Sequence, residues 1–387
     1  MQRDTTGHYA QSIAGGETVR AFVPHPLPPV PPLDLSGSRQ LLLERATLAI
    51  GRLDSICTLL PDPQLFLYAY VRREAVLSSQ IEGTQSSLSD LLLYELDEAP
   101  GVPFDDVQEV SNYIAALEHG MARLREGFPL CNRLLREMHT QLMAKGRGSD
   151  KAPGEFRRSQ NWLGGTRPGN ARFVPPPPQE VEACMAALEG FFHGQNDGLP
   201  TLARAALAHV QFETIHPFLD GNGRLGRLLI ALLLHHCGLL TQPLLYLSLY
   251  LKQHRPVYYE LLDRVRTHGD WEAWVDFFLE GVQQTASGAV QTAQRLVALF
   301  QQDTQRVQTL GSAAARALRV LEGLRQRPMC PLKQLASDSG LSFPTAAKAV
   351  QTLADLGIVH ELTGRRRNRV FVYSAYLSIL NEDGQAL

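Results

Sequence analysis

The stretch His216-Pro-Phe-Leu-Asp-Gly-Asn-Gly-Arg-Leu-Gly-Arg227 places one histidine, one carboxylate, three small loop residues and two arginines within twelve positions. Apolar residues at helical spacing lie on both sides, so we expect a loop that leads directly into a helix. The glycines at 221 and 223 permit close backbone approach and positive φ angles. The rest of the chain is expected to support, cover and control this loop.

The loop contains the parts of a polyphosphate site. A helix N-terminus binds anions because its free N–H groups point outward, and the backbone of Gly221, Asn222 and Gly223 adds a nest of N–H groups. Arg224 and Arg227 lie three positions apart on one helix face, so both can turn toward the same anion.

A metal ligand and a base are predicted beside that anion site. Asp220 suits Mg²⁺, which bridges carboxylate and phosphate oxygens. His216 can take a proton from an attacking hydroxyl near neutral pH. Pro217 is expected to end the preceding helix and Phe218 to anchor the loop in the core. Each residue alone is more often structural, and only their combination indicates a functional site.

The composition is that of a soluble globular protein. The chain has 387 residues, 44% hydrophobic and 20% charged, which predicts two or three domains. Five scattered cysteines without a CxxC pair suggest neither a zinc site nor a disulfide framework. With no signal-peptide core and no apolar run long enough to span a bilayer, we expect a cytoplasmic protein with no membrane partner.

The loop resembles the Fic motif, HPFx(D/E)GNGRxxR, at every specified position. Fic proteins are mainly adenylyltransferases, which move AMP from ATP to a Ser, Thr or Tyr hydroxyl of a protein. The resemblance implies ATP and Mg²⁺, with His216 as the base and Asp220 as the Mg²⁺ ligand. It also implies that residues 221–223 cradle the α- and β-phosphates and that the two arginines hold the outer phosphates. Related phosphotransferases have Lys at the position of Gly223, so glycine here favours AMP transfer.

A second stretch, Ser78-Ser-Gln-Ile-Glu-Gly83, is similar to the inhibitory motif (S/T)xxxE(G/N) of the Fic class that carries it before the core. From the residues alone, Glu82 would be a solvated residue at a helix end. The resemblance instead implies that Glu82, held between Ser78 and Gly83, reaches Arg227 and obstructs the γ-phosphate. A carboxylate paired with Arg227 would remove the cation that the triphosphate needs.

The helical pattern stops between residues 146 and 178, and a loop of this length is usually functional or disordered. Asn161 to Val174 predicts a small hairpin and resembles the Fic flap, which holds a target segment by β-strand addition. The resemblance places Leu163, Gly164, Phe173 and Val174 near ATP or the target.

Several other side chains have two interpretations. Tyr258 and Tyr259 match positions where Fic proteins have aromatic residues near adenine, but core packing is the alternative. The sequence His235-His236-Cys237 is interpreted as structural, because adjacent residues point around a helix and no fourth ligand is evident. His209 can share the face of His216, but we expect a core residue.

The predicted fold is mainly α: a Fic-type all-helical core with a small β-hairpin flap, followed by a C-terminal winged helix-turn-helix domain. Residues 1–106 are predicted to hold a Pro-rich strap and helices that include the inhibitory segment. Residues 107–282 form the predicted catalytic core, 283–310 a connecting helix and 311–387 the winged helix.

Local expectations complete this picture. Residues 1–20 are predicted to be a mobile arm. The Pro-rich residues 23–32 are predicted to be an extended strap, anchored by Leu27 and Val30, with docking to a partner domain as the alternative. A break is expected at residues 61–63, and a single helix is expected over residues 246–262.

The last segment differs in charge from the rest. Residues 311–387 contain ten Lys/Arg and six Asp/Glu, a net charge of +4 that leaves −6 for the remainder. Three helical patterns and a strand, basic turn and strand predict a winged helix. In the DNA interpretation, the start of the third helix, Ser342 to Lys348, enters the major groove. The wing arginines that would contact phosphates are Arg365, Arg366, Arg367 and Arg369. Dimerisation or target docking is the alternative role.

Three functions fit the sequence. The first is AMP transfer to a protein hydroxyl, held down by Glu82. The second reverses the reaction, with Glu82 aligning a water that removes AMP from a modified protein. The third is transcription regulation through the winged helix. The partners considered are a substrate protein, which includes the chain itself, DNA, and a second copy in a homodimer.

Overall fold

α-Helices dominate the computed structural model, which describes residues 6–59, 63–99, 101–194 and 198–385. Most of the break predicted at residues 61–63 lies outside the described residues. The elements of the first part are, in chain order, β1 (Gly7–Ala14), β2 (Glu17–Pro24), α1 (Ser38–Leu59), α2 (Pro63–Ile81), α3 (Leu88–Tyr94), α4 (Phe104–Arg125), α5 (Asn132–Leu142), α6 (Pro178–His193), α7 (Thr201–Ile215) and α8 (Asn222–His236).

The second part adds a long helix and a small mixed domain. Its elements are, in chain order, α9 (Leu247–Gln253), α10 (Arg255–His268), α11 (Trp271–Gln308), α12 (Ala314–Gln326), β3 (Met329–Pro331), α13 (Leu332–Asp338), α14 (Phe343–Asp355), β4 (His360–Glu361), β5 (Val370–Val372) and α15 (Ser374–Gln385). Among the described residues, no helix is long and apolar enough to cross a bilayer.

The centre of the core is α7, whose residues from Leu202 to Ile215 are all buried. A helix that is apolar on every side packs inside a protein rather than on its surface. The helix α8 packs against α7 and is itself largely buried. The loop between them, residues 216–221, is therefore fixed at both ends by buried helices.

The expectation of a mobile arm at residues 1–20 is wrong for the residues that the structure describes. β1 and β2 form an antiparallel hairpin, closed by Gly15 and Gly16 with φ angles of 56° and 82°. Two glycines at positive φ suit a two-residue hairpin turn. The hairpin lies beside the predicted flap, because the Phe22 N–H donates to the Val174 carbonyl at 2.8 Å.

The Pro-rich strap is held by fewer anchors than predicted. Leu27 packs against the core, but the expectation for Val30 is wrong, since its side chain is 88% exposed. The strap ends on α11, where the Asp34 N–H donates to the Glu272 carboxylate at 3.2 Å.

The single helix expected over residues 246–262 is two helices, α9 and α10. His254 lies between them with φ −110° and ψ 30°, outside helical geometry. Pro256 stands in the first turn of α10, where the missing proline N–H costs no helical hydrogen bond. The break follows from this proline.

The long helix α11 connects the core to the winged helix. It runs for 38 residues without interruption, so residue 282, where we placed the end of the catalytic core, lies inside a helix. The three-stranded sheet of order β3-β5-β4 is antiparallel and contacts α13, which packs with α12 and α14. The sequence did not predict β3 or α15. Tyr373 fixes this domain to α11 by donating to Asp303 at 2.6 Å.

Candidate active site

His216 stands at the end of α7 in a left-handed conformation, with φ 48° and ψ 61°. This conformation costs a residue other than glycine about 1–3 kcal/mol. Arg157, which is 3% exposed, holds it in place. The Arg157 side chain donates to the carbonyls of His216 at 2.9 Å and Pro176 at 2.6 Å, and its backbone N–H donates to the Pro217 carbonyl at 2.9 Å.

The rest of the loop is held by side chains beneath it. The Asn222 carboxamide accepts from the Phe218 N–H and donates to the Phe218 carbonyl, both at 2.9 Å. The buried Phe218 ring stacks on His139, with centroids 3.8 Å apart. Because the Gly154 N–H donates to His139 Nδ1, the Nε2–H of His139 must donate to the Asp220 carbonyl, at 2.9 Å. Burial lowers the pKa of His139 to about 4, so this support is a neutral ring.

The surroundings of His216 keep its imidazole neutral. Burial, followed by the charges of Arg266 and Arg157, lowers the pKa of His216 to about 3. A neutral imidazole can accept a proton, as a general base must. Arg157, which fixes the loop, therefore also favours the neutral, proton-accepting form of the histidine.

Many of the predicted site residues, though not Asp220, Gly221, Asn222 or Arg224, line one cavity of about 430 Å³. The cavity lies between the motif, α10 and the hairpin of residues 161–174, in which Leu163 and Phe173 form an antiparallel bridge. The predicted residues that line it are His216, Gly223, Arg227, Glu82, Leu163, Gly164, Phe173, Tyr258 and Tyr259. The cavity is large enough for a small-molecule ligand.

Tyr258 belongs to both the cavity and the core. Its side chain is 1% exposed, and its hydroxyl lies 2.8 Å from His209 Nε2. His209 Nδ1 lies 3.0 Å from the Gly226 carbonyl. Since a carbonyl only accepts, Nδ1 carries the hydrogen and the Tyr258 hydroxyl donates to Nε2. His209 is thus the buried core residue that we expected, and it orients Tyr258 beside the cavity.

The Glu82 carboxylate occupies the side of the cavity next to α8. It accepts from Arg227 Nη2 at 2.7 Å. Arg227 also donates to the Ser78 hydroxyl at 2.7 Å and to the Ser78 carbonyl at 2.9 Å. A methyl group added to Gly223 would come within 2.3 Å of Glu82 Oε1. The carboxylate therefore lies on the first turn of α8, where a helix attracts anions.

Of the two partners in the Glu82–Arg227 pair, Glu82 is the one that can move out of the cavity more easily. Its side chain is 35% exposed, whereas that of Arg227 is 2% exposed. Burial raises the pKa of Glu82, but the charge and hydrogen bond of Arg227 outweigh it, and the net pKa is lowered. Gly83, at φ 103° and with open space around it, allows the chain to turn directly after Glu82.

Arg224 does not turn toward the cavity as we expected. Its guanidinium donates to Glu109 of α4 at 3.0 Å, and both side chains are almost fully buried. Glu109 also accepts from Arg147 at 2.5 Å. The two motif arginines therefore point to different partners, and only Arg227 is among the cavity-lining residues.

Asp220, the predicted Mg²⁺ ligand, is not among the residues that line the cavity, and its role stays a prediction. Its side chain is 48% exposed and lies 4.0 Å from Arg224, and one carboxylate oxygen accepts from the Gly221 N–H at 2.6 Å. Mg²⁺ is commonly bound by one or two carboxylates together with substrate phosphates. The described residues contain no group of three His, Cys, Asp or Glu arranged for a metal ion, so the phosphates would have to supply most non-water ligands.

Sequence reasoning missed several charged or polar side chains of this site, and those lining the cavity include Arg172, Arg255, Asp263 and Arg266. Arg157, His139 and Glu109 come from distant segments, and no motif marks them. Glu213 lines the cavity, is 7% exposed, and burial raises the pKa of its carboxyl to about 7. Its position three residues before His216, close to one helical turn, is the only signal that could have found it.

The site thus defines a class: an all-helical core in which one loop presents a neutral histidine and a helix N-terminus to a single cavity. Two family models match this region, Fic/DOC family N-terminal at residues 40–122 and Fic/DOC family at residues 129–234. A third, the IclR helix-turn-helix domain, matches residues 313–362. The chain is therefore a Fic domain protein, with a Fic/DOC N-terminal region before that domain and a helix-turn-helix domain after it.

Individual relatives agree with this assignment. The chain is 32% identical over 210 residues to Protein adenylyltransferase Fic of Culex quinquefasciatus, covering 53% of this chain but 39% of that protein. The Drosophila grimshawi protein of the same name is 31% identical over 186 residues, covering 48% of this chain and 35% of that protein. The chain thus spans well under half the length of these curated relatives.

Solved structures show the same fold. A Fic family protein from Desulfovibrio desulfuricans G20 aligns with a TM-score of 0.58 at 21% identity, covering 89% of this chain and 98% of that one. C. elegans Fic-1 aligns with a TM-score of 0.52 at 21% identity, covering 67% and 73%. The predicted fold class, an all-helical Fic core with a winged helix, is confirmed.

Proposed function

We propose that this chain transfers AMP from ATP to a hydroxyl of a protein, and that Glu82 holds this activity down. The observation that carries the proposal is the meeting of His216, the α8 N-terminus and Arg227 at one cavity. The relatives named protein adenylyltransferase support the same chemistry.

In this proposal the nucleotide's phosphates lie along the first turn of α8, on the N–H groups of residues 221–223. His216 takes the proton of the target hydroxyl, whose oxygen forms a bond to the α-phosphorus. The bond from that phosphorus to the β-phosphate oxygen breaks, and pyrophosphate leaves. A Mg²⁺ held by Asp220 would neutralise phosphate charge when the nucleotide is bound. The protein's own part is positioning and charge stabilisation.

Glu82 opposes this arrangement in two ways. Its carboxylate takes the Arg227 hydrogen bond that an outer phosphate would use, and its negative charge lies on the helix N-terminus that the phosphates would need. ATP binding in the productive position therefore requires Glu82 to leave.

The test uses the Glu82→Gly protein with ATP labelled at either the α- or the γ-phosphate. We expect covalent label from α-labelled ATP only. His216→Ala in the same background should lower labelling at least about a hundredfold, whereas the matched change His193→Ala, at an exposed histidine ending α6, should not. Label from γ-labelled ATP, or full activity without His216, would contradict the proposed chemistry.

A second function, DNA contact through the winged helix, is favoured by a specific observation. The family model of a helix-turn-helix domain matches residues 313–362, and the exposed wing residues Arg365, Arg366 and Arg367 follow directly. Lys348 on α14 is also exposed. We expect the full-length protein to shift double-stranded DNA at low salt, with affinity falling steeply as salt rises. Absence of a shift at low salt would remove this function.

A further inference from the structure

The basic wing is tied to the segment that follows the inhibitory motif. We define the wing as residues 363–369, between β4 and β5. Arg365 Nη1 lies 2.8 Å from each carboxylate oxygen of Glu98, which stands just beyond α3. The Arg365 side chain is 53% exposed and that of Glu98 is 18% exposed. The arginine is thus accessible to another anion, while the carboxylate is partly covered.

Hydrogen bonds join α3 and the inhibitory segment to α2. Glu95, at the end of α3, accepts from the Arg72 guanidinium at 2.9 Å and from the Tyr68 hydroxyl at 2.8 Å, both on α2. Gln80 of α2 donates to the Ser86 carbonyl at 2.8 Å. These bonds close α2, the turn of residues 82–87 and α3 into a helical hairpin whose turn carries Glu82.

The winged helix also packs directly on this helical hairpin. Both α12 and α15 contact α2. Tyr376 of α15 is fully buried, and its ring packs against Phe300 of α11 and Tyr373. A displacement of the winged helix would therefore also shift α2, the helix that ends at the inhibitory motif.

From these contacts we infer that double-stranded DNA bound to the wing releases Glu98 from Arg365 and relieves the inhibition by Glu82. Phosphates of the DNA backbone would compete with the Glu98 carboxylate for the same guanidinium donors. Without that tie, the end of α3 is no longer fixed to the wing, and the α2–α3 hairpin can move Glu82 away from Arg227. The inference rests on the two proposed functions, AMP transfer and DNA contact.

Linkage gives the inference a second, independent readout. If DNA weakens the inhibited state by some factor, loss of the inhibited state must strengthen DNA binding by the same factor. The affinity for DNA can be measured without any transfer reaction. Failure of the coupling is thereby distinguishable from failure of the proposed chemistry.

The experiment compares full-length wild type, Glu98→Gln, Arg365→Ala and the control Glu126→Gln, which removes an exposed carboxylate from a surface pair with Arg123. We expect saturating mixed-sequence duplex DNA at low salt to raise wild-type self-labelling by about two- to fivefold, the size expected from one partly exposed ion pair. Glu98→Gln should show this gain without DNA, respond no further, and bind DNA more tightly by a similar factor. Arg365→Ala should also gain basal labelling but bind DNA more weakly.

The outcomes that overturn the inference are equally specific. One is a wild type that binds DNA but labels at an unchanged rate, while Glu82→Gly labels faster. Another is a Glu98→Gln protein that behaves like Glu126→Gln in both labelling and DNA affinity. No DNA binding at low salt would also overturn it. If even Glu82→Gly fails to label, the proposed chemistry is wrong, and an unchanged DNA affinity of Glu98→Gln then separately rejects the coupling.

Discussion

Arg224 and Arg227 stand three residues apart on α8, and each is paired with a carboxylate, but the two pairs are built differently. Glu109 comes from the middle of α4, and both members of the Arg224–Glu109 pair are about 95% covered, with side-chain exposures of 5% and 4%. Glu82 follows the end of α2, and 35% of its side chain is exposed. The Arg224–Glu109 pair is part of the core, whereas the Arg227–Glu82 pair joins the core to a partly exposed turn that can move away.

The difference shows how one motif can hold both a fixed and a switchable contact. A buried carboxylate in the middle of a helix cannot leave without unfolding its surroundings. A carboxylate beside Gly83, in a turn with open space around it, can leave with little change elsewhere. The same residue types therefore serve structure at one position and control at the other.

The largest expected effect is on the buried pair. Glu109→Gln leaves Arg224 without its buried counter-ion, so we expect a loss of about 3–5 kcal/mol of stability. Chemical denaturation measures it, with Glu126→Gln at the surface as the control that should change stability by at most about 1 kcal/mol. A stable Glu109→Gln protein with raised labelling would show that the two pairs are equivalent.

A smaller effect is expected from the loop's internal support. Asn222→Ala removes both hydrogen bonds to the Phe218 backbone in a buried place, so stability should fall by about 1–3 kcal/mol. In the Glu82→Gly background it should also lower AMP transfer, because the loop is no longer fixed. Asn132→Ala, which loses a hydrogen bond to the Met185 carbonyl far along the chain, should reduce stability without lowering transfer. Equal transfer by both variants would contradict the supporting role.

The smallest expected effect is a change in the protonation of three buried histidines. Burial lowers the pKa values of His139 and His209 to about 4 and, with nearby arginines, that of His216 to about 3. Imidazole-nitrogen NMR at about pH 5 should therefore find all three rings neutral, although a free histidine titrates near 6.5. A midpoint near 6.5 for His216 would contradict the account of its environment.

The sign of the associated stability change follows from these values. A histidine with a lowered folded pKa stabilises the fold fully above its unfolded pKa, and this contribution is lost as the pH falls toward the folded value. Glu74 and Glu213, whose pKa values burial raises to about 7, have the opposite effect between about pH 7 and their ordinary range. As the pH falls below about 7, the histidines therefore lower the stability of the fold, while Glu74 and Glu213 raise it, and the two contributions partly cancel.

Much of the fold, and part of the list of cavity residues, was accessible from the sequence. Long apolar patterns predicted the core helices, and the dense motif marked the loop. The hairpin of β1 and β2 was missed because its signal is only Gly15-Gly16 between two strands of mixed polar and apolar composition. Arg157, His139 and Glu109 could not be found, because their roles depend on tertiary contacts with segments far away in the chain. The direction of Arg224 was wrong for the same reason, since helical spacing does not reveal a carboxylate on α4.

The central claim is that the Glu82 carboxylate on Arg227 keeps the site in a resting state. The most direct test is the initial rate of self-labelling by α-labelled ATP in wild type, Glu82→Gln and Glu82→Gly. A charge-assisted hydrogen bond of about 1.5–3 kcal/mol predicts a gain of about ten- to a hundredfold for glycine, with glutamine between the two because it keeps the bulk and loses the charge. Equal rates in all three proteins, with His216 still required, would contradict the claim.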